Sequence, residues 1–278
     1  MTELNLEALK QTIGTSDVSH DTVQESRYAQ FQGTLAPFLA SSSICPVPPG
    51  FHWTMFQPET PYDELRNDGH PVRLSLIPEL PFASRMWAGG SVTFLDTLNI
   101  GDPLTRTSTV RSIDLKEGSS GALLFIEIGH EYQRGDKTVI SETQSIVYRN
   151  PTKPVAFTPL APETPEPGTL NADSRLLFRY SALTFNTHRI HYDRNYAISE
   201  EGYPGLVVHG PLQATLLMNL IASKLGHSGF TFFYRGTAPL FAGQNARLQI
   251  KTGNENTAHI ERGPDDITMK GRFQLNES

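Results

Sequence analysis

The period of the apolar positions changes along the chain, and each change marks an element. Leu4, Leu6 and Leu9, followed by Ile13, sit among polar neighbours over residues 3–12, a spacing that suits a short surface helix. A second helix is expected over 22–39, limited by Gly33 and Pro37. The stretch SSSICPVPPGFHWTMFQPETPYDELRNDGHP that follows has no sustained period and reads as irregular chain, partly buried by its aromatic side chains. From residue 87 the pattern becomes β. WAGGSVTFLDTLNI, TRTSTVRSIDLKEG, ALLFIEIGHEYQRG and TVISETQSIVYR are separated by turn signals at Gly101-Asp102-Pro103, Glu117-Gly118 and Gly135-Asp136, which predicts an antiparallel meander.

Residues 150–169 contain six prolines and read as an extended linker, because proline fixes φ and cannot donate to a ladder. Beyond it lies the stretch 178–225, which opens with Asn186, His188, Arg189, His191 and Asp193. A turn-rich connection leads to Val207-Val208-His209-Gly210-Pro211, and Leu212, Leu216, Leu217, Leu220 and Ile221 then recur at helical spacing as a core stripe. Strand patterns return in FTFFYRGTAPLF, GQNARLQIKTG and TMKGRFQL. The order of aromatic strand, turn, alternating strand and closing strand thus occurs on both sides of the linker. It predicts an internal repeat of one α+β unit, over 1–150 and 170–278, joined by 151–169.

Composition narrows the function classes. A net charge of −6 gives no basic field for nucleic acid, although 23 Lys+Arg leave room for a local anion-binding patch. Cys45 is the only cysteine, which excludes an intrachain disulfide and a cysteine-cluster metal site, and its neighbours offer no base to activate it. The N-terminal MTELNLEALKQ has neither a basic n-region nor an h-region, and no apolar run reaches membrane-spanning length, so a reducing cytoplasm is expected, with no membrane partner. No Gly-x-Gly-x-x-Gly or P-loop pattern occurs, so no redox cofactor is expected. His188 and His191 have metal-pair spacing, but no third ligand has a matching position and no metal is expected.

What remains is a set of proton-transferring groups about 20 residues before a glycine at a helix start, a layout suited to a carbonyl compound. The stretch resembles the hydratase motif Gly-Asp-x-Asn-Pro-Ile-His of the hotdog-fold (R)-specific enoyl-CoA hydratases, the MaoC-like proteins. With the final histidine on His191, Asn186 falls at the aspartate, His188 at the asparagine, Arg189 at the proline and Ile190 at the isoleucine. Val208-His209-Gly210 resembles the family's Ala/Val-His-Gly, which opens its central helix. The run 179–193 is closer still to a double-hotdog branch that includes mesaconyl-C4-CoA and itaconyl-CoA hydratases, which serve itaconate degradation, and the type 2 hydroxyacyl-thioester dehydratases.

The resemblance implies two fused hotdog units, each an antiparallel sheet wrapped round a helix, with the chemistry in the C-terminal one and an N-terminal one that only shapes the acyl tunnel. It implies reversible hydration of a 2-enoyl-CoA, a lyase reaction, on a short branched dicarboxylic acyl group giving citramalyl-CoA. His191 is then the base, Asn186 holds the water, and the Gly210 N–H faces the thioester oxygen. His209 braces the helix start, His188 orders the loop, and Arg189 and Arg235 are candidates for phosphate or substrate carboxylate. Asparagine at 186 cannot relay a proton, so His191 must carry both proton steps unless Asp193 helps. A homodimer is compatible with this reading. The alternatives are a fatty-acid dehydratase acting on acyl carrier protein and a non-catalytic acyl-CoA-binding subunit.

Overall fold

The computed structural model describes residues 4–40, 44–118, 121–150 and 169–276, so nearly all of the expected proline linker lies outside the described residues. In chain order the elements are α1 (Leu6–Lys10), β1 (Ser16–Thr22), α2 (Glu25–Leu35), β2 (Ser84–Phe94), β3 (Pro103–Gly118), β4 (Gly121–Arg134) and β5 (Lys137–Arg149). Then come β6 (Thr169–Asn171), α3 (Ser174–Leu183), α4 (Arg194–Ser199), α5 (Gly210–Leu225), β7 (Phe230–Gly236), β8 (Asn245–Lys251), β9 (Thr257–Glu261) and β10 (Ile267–Leu275).

The ten strands form one antiparallel sheet in the order β1-β3-β4-β5-β2-β7-β10-β9-β8-β6. From either outer edge inward, the strands of each half follow the same succession of first, third, fourth, fifth and second. That is the repeat read from the sequence pattern. The halves meet where β2 pairs with β7, from Gly89↔Arg235 to Thr93↔Thr231. A bulge between Trp87 and Gly89 shifts the register of β2 against β5 just before that junction. Three short strands were not visible in the sequence. β1 (SDVSHDT) and β9 (TAHIE) are short and polar on one side, and β6 is three residues long; β1 and β6 are held by pairing to distant strands, and β9 lies between its neighbours β8 and β10.

Helix α5 lies on the inner face of β7–β10, and its residues Leu212–Asn219, Ile221 and Ala222 are buried. A helix apolar nearly all round belongs in a core. Its exposed end stops at Gly226, which takes a left-handed φ of +77°. The N-terminal half lays a 3-10 turn, Phe51–Thr54, against its own sheet instead of a helix of that length: the Trp53 indole donates to Glu142 at 2.8 Å, and the His52 ring meets Phe94 and Tyr132 edge-on. That segment is tied to α5 by Asn219, whose amide donates to the Pro49 carbonyl at 2.8 Å. One large core cluster therefore runs through both halves.

Candidate active site

The chain between α3 and α5 is folded by its own polar side chains. Asp173 caps α3, and the helix unwinds at Phe185, where φ is +51° and the motif quoted above has glycine. Asn186 follows, its backbone N–H bonded to Ser181 O at 2.8 Å and its side-chain oxygen accepting from the His188 N–H at 2.9 Å. The side-chain oxygen thus shapes the turn, and the amide NH₂ is left to donate elsewhere. Residues Arg189–His191 form a 3-10 turn, and Asp193 caps α4 by accepting from Tyr196 N at 3.0 Å.

The segment before α5 is clamped on two sides. Val207 N–H donates to Ile190 O at 3.0 Å and Val208 N–H to Leu240 O at 2.7 Å. The Val207 carbonyl is thereby aimed at His191, whose Nδ1 lies 2.7 Å from it. A carbonyl only accepts, so Nδ1 carries the proton and Nε2 keeps a lone pair. Burial holds the His191 pKa down at about 4, so the ring is neutral near pH 7. Behind it, His209 stacks on the His191 ring at 3.7 Å and hydrogen-bonds Ser181 Oγ at 2.8 Å, which fixes the plane of His191. Burial also drives the His209 pKa well below its ordinary value.

Gly210 opens α5, and its N–H has no partner among the described residues, as expected of a first-turn amide. Glycine is required there by contact: a Cβ would lie 2.7 Å from Cε3 of Trp87, a residue of the N-terminal half. Trp87 cannot easily yield, because it stacks on Tyr234 at 4.8 Å and meets Trp53 edge-on.

A cavity of about 1820 Å³ spans both halves and is lined by Asn186, His188, His191, Gly210, Trp87, His70, Arg85 and, further along, Ser108, His130 and Gln144. Four sequence candidates, Arg189, Arg235, Asp193 and His209, are absent from its wall. Arg189 is committed elsewhere: its guanidinium pairs with Asp193 at 2.8 Å, donates to Asn67 O at 3.1 Å and lies over the Tyr196 ring. Arg235 alternates with inward-facing Tyr234 on β7 and lies on the exposed outer face. Neither arginine, each read from the sequence as a candidate for phosphate or substrate carboxylate, lines this cavity. Asp193, tied to Arg189 and to the α4 cap, is also absent from the cavity wall. His209 sits one layer behind the cavity, stacked on the His191 ring.

The sequence did not point to the N-terminal loop at 67–70. Arg189 N–H donates to Asp68 O at 2.9 Å, Thr187 Oγ1 donates to Gly69 O, and the rings of His70 and His188 are 4.0 Å apart. Asp68, His70 and His188 bring ligand-type atoms within 4.8 Å of one another. This is a triad different from the His188/His191 pair read from spacing. Arg66 lies 3.9 Å from Asp68, and burial, reinforced by the nearby Arg85 and Arg66 charges, keeps His188 neutral. Positive neighbours of that kind favour an anion over a metal cation.

Gly69 is the hinge of this docking. Its φ is +89°, and a Cβ would fall 1.8 Å from the Thr187 carbonyl oxygen. Gly69→Ala is expected to cost about 2–4 kcal/mol in urea unfolding, from backbone strain plus the forced separation of two loops. Turnover measured where the variant is still folded should fall further, because the displaced loop carries Asn186 and His188. An unchanged urea midpoint would contradict this account.

The family model for hydroxyacyl-thioester dehydratase type 2 matches residues 50–242. The chain belongs to that family. It is 42% identical over 263 residues to the mesaconyl-C(4)-CoA hydratase of Chloroflexus aurantiacus, covering 92% of this chain and 93% of the relative. Among solved structures, HtdX of Mycobacterium tuberculosis superposes with a TM-score of 0.68 at 14% identity, covering 94% of this chain and all of that one. Another Mycobacterium tuberculosis protein, described as having a double hotdog fold, superposes with a TM-score of 0.53 at 14% identity, over 94% of this chain and 95% of that one. As a member of the type 2 dehydratase family, the chain is a hydratase/dehydratase of enoyl-thioester chemistry with an α+β double-hotdog architecture. No helix among the described residues is long and apolar enough to cross a membrane.

Proposed function

We propose that this enzyme hydrates mesaconyl-C4-CoA, a 2-enoyl-CoA whose β-carbon carries a methyl and a carboxylate, to citramalyl-CoA. The observation that carries the reading is convergence in one cavity of the His191 imidazole, the Asn186 amide and the unbonded Gly210 N–H. The 42%-identical relative supports the choice of acyl group.

The thioester oxygen accepts from Gly210 N–H at the positive end of α5, where negative charge develops as water adds. Asn186 donates its amide to the attacking water and holds it against the β-carbon. His191 Nε2 takes one water proton as oxygen bonds to Cβ, and the resulting enolate is held by the helix start. A histidine with a pKa near 4 is a modest base but a strong conjugate acid, so the same Nε2–H then protonates Cα. Water is added across the double bond, and His191 returns to its neutral form. Every atom is accounted for with no redox step, so the reading includes no cofactor beyond the CoA of the substrate. We place the reaction in the cytoplasm and leave room for a homodimer.

Loss of enoyl-thioester absorbance tests the reading. Mesaconyl-C4-CoA should be consumed at least about tenfold faster, in kcat/KM, than crotonyl-CoA or a longer 2-enoyl-CoA, the difference being the worth of one charged contact. A second reading is favoured by cavity size, since about 1820 Å³ exceeds what a short acyl group fills. Preference for the longer chain would move the assignment to a fatty-acyl dehydratase. Binding without turnover of any of them would leave an acyl-CoA-binding subunit.

A further inference from the structure

Four arginines line the cavity, and three of them meet a carboxylate or lie over an aromatic face of the chain. Arg73 pairs with Glu64 at 3.6 Å. Arg106 lies over the Phe56 ring at 4.7 Å and beside the Tyr132–Glu142 pair. Arg149 sits with Tyr203 and Glu201. Arg85 is different. It stands opposite Tyr148, its direct cross-strand partner, and no carboxylate among the described residues pairs with it. A half-buried guanidinium with only a phenol beside it is costly without an anion.

Its position limits which anion that can be. Arg85 lies two residues before Trp87 on β2, so both side chains point to the inner face, roughly 7 Å apart along the strand. Trp87 touches the start of α5 at Gly210. Opposite stand His70 and His188, both neutral, so neither competes for an anion nor repels one. The cation therefore belongs to the reacting end of the cavity, and an acyl carboxylate on the attacked carbon sits within a bond length or two of that carbon. The phosphates of CoA lie a whole pantetheine arm away.

We propose that Arg85 is the specificity-determining residue that binds the free carboxylate of the acyl group, selecting a dicarboxylic over a neutral enoyl-CoA. The proposal rests on the enoyl-CoA hydration reading for its kinetic test, but not for its binding test. In Arg85→Gln, kcat/KM for mesaconyl-C4-CoA should fall about 10²-fold, the scale of one charge-assisted hydrogen-bond pair, while that for crotonyl-CoA stays within about threefold. Arg85→Lys should recover part of the loss, because it keeps the charge but not the fork. Calorimetry with two non-reacting ligands separates the questions. Succinyl-CoA should bind the wild type more tightly than butyryl-CoA, and Arg85→Gln should abolish that difference.

Equal loss with both substrates and both ligands would assign Arg85 to CoA phosphate or to structure and overturn the proposal. No change with any ligand would overturn it too. A wild type that binds succinyl-CoA preferentially through Arg85 yet hydrates nothing would uphold the carboxylate site and sink the hydration reading.

Discussion

His191→Ala is expected to lower kcat for enoyl-CoA hydration by about 10³–10⁴-fold in a chain that still folds, the upper range for a group that serves as both base and acid. The size of the effect follows from the geometry. The Val207 carbonyl at 2.7 Å fixes the proton on Nδ1, so one nitrogen, Nε2, is available to the cavity, and no carboxylate among the described residues bonds to His191 or to the Asn186 side chain. Asn186 holds water but exchanges no proton, and Asn186→Ala should therefore cost less, about 10²-fold. Circular dichroism and a thermal melt establish that His191→Ala is folded; it loses a ring stacked on His209 and one hydrogen bond to the Val207 carbonyl. Added imidazole should restore part of the rate by entering the vacated space. Turnover near the wild-type rate, or a loss no greater than that of Asn186→Ala, would move the proton chemistry to another group. The His191 pKa of about 4 adds a second readout: the acid limb of kcat/KM should lie well below the ordinary histidine range wherever the protein stays folded.

The C-terminal part of this site was legible because its parts are local or rigidly spaced. Asn186 and His191 belong to one short turn, and Val207–Gly210 is brought back to them by a backbone clamp within the same half. The apolar stripe of α5 identified a core helix, and the buried face confirms it. Arg189 misled for a physical reason: an arginine inside a catalytic motif reads as a substrate contact, but an acid four residues on captured it. His70, Arg85 and Trp87 could not be found in this way, because they meet the site only through β2–β7 pairing and the docking of the 67–70 loop. Non-local pairing leaves no period in the sequence. Gly69 carried the one available signal, in Asn67-Asp68-Gly69-His70, where a turn composition conceals a backbone-to-backbone contact. The N-terminal half thus keeps no copy of the motif, yet it supplies a wall of the cavity.

Acidification from pH 7.5 to 5.5 is expected to destabilise the fold by about 7 kcal/mol, well before its carboxylates protonate. Burial holds His70, His130 and His191 at about 4 and also drives His188 and His209 well below their ordinary value, whereas an unfolded chain binds those five protons near the ordinary value of 6.5. The unfolded state then carries more protons throughout the window between about 4 and 6.5, so stability rises with pH there and falls as pH drops. Each fully depressed histidine contributes about 1.4 kcal/mol at pH 5.5, one unit below its unfolded value. Glu142 acts in a different window. Burial opposes its charge, but His52 at 3.6 Å and the Gln144 amide outweigh burial and hold it at about 2, so its contribution is lost only below about 4.5. Urea midpoints at the two pH values should therefore separate with little change in slope, and the melting temperature should drop by about 10–20 °C. His130→Gln, which removes one of the five groups, should flatten the dependence by roughly a fifth. His130 suits this test because it lies on β4, bonded to Ser108 at 2.8 Å and away from His191. A melting temperature that is flat across the interval would mean that the histidines take up protons in the native state, and the neutral cluster facing Arg85 would have to be redrawn as a charged one.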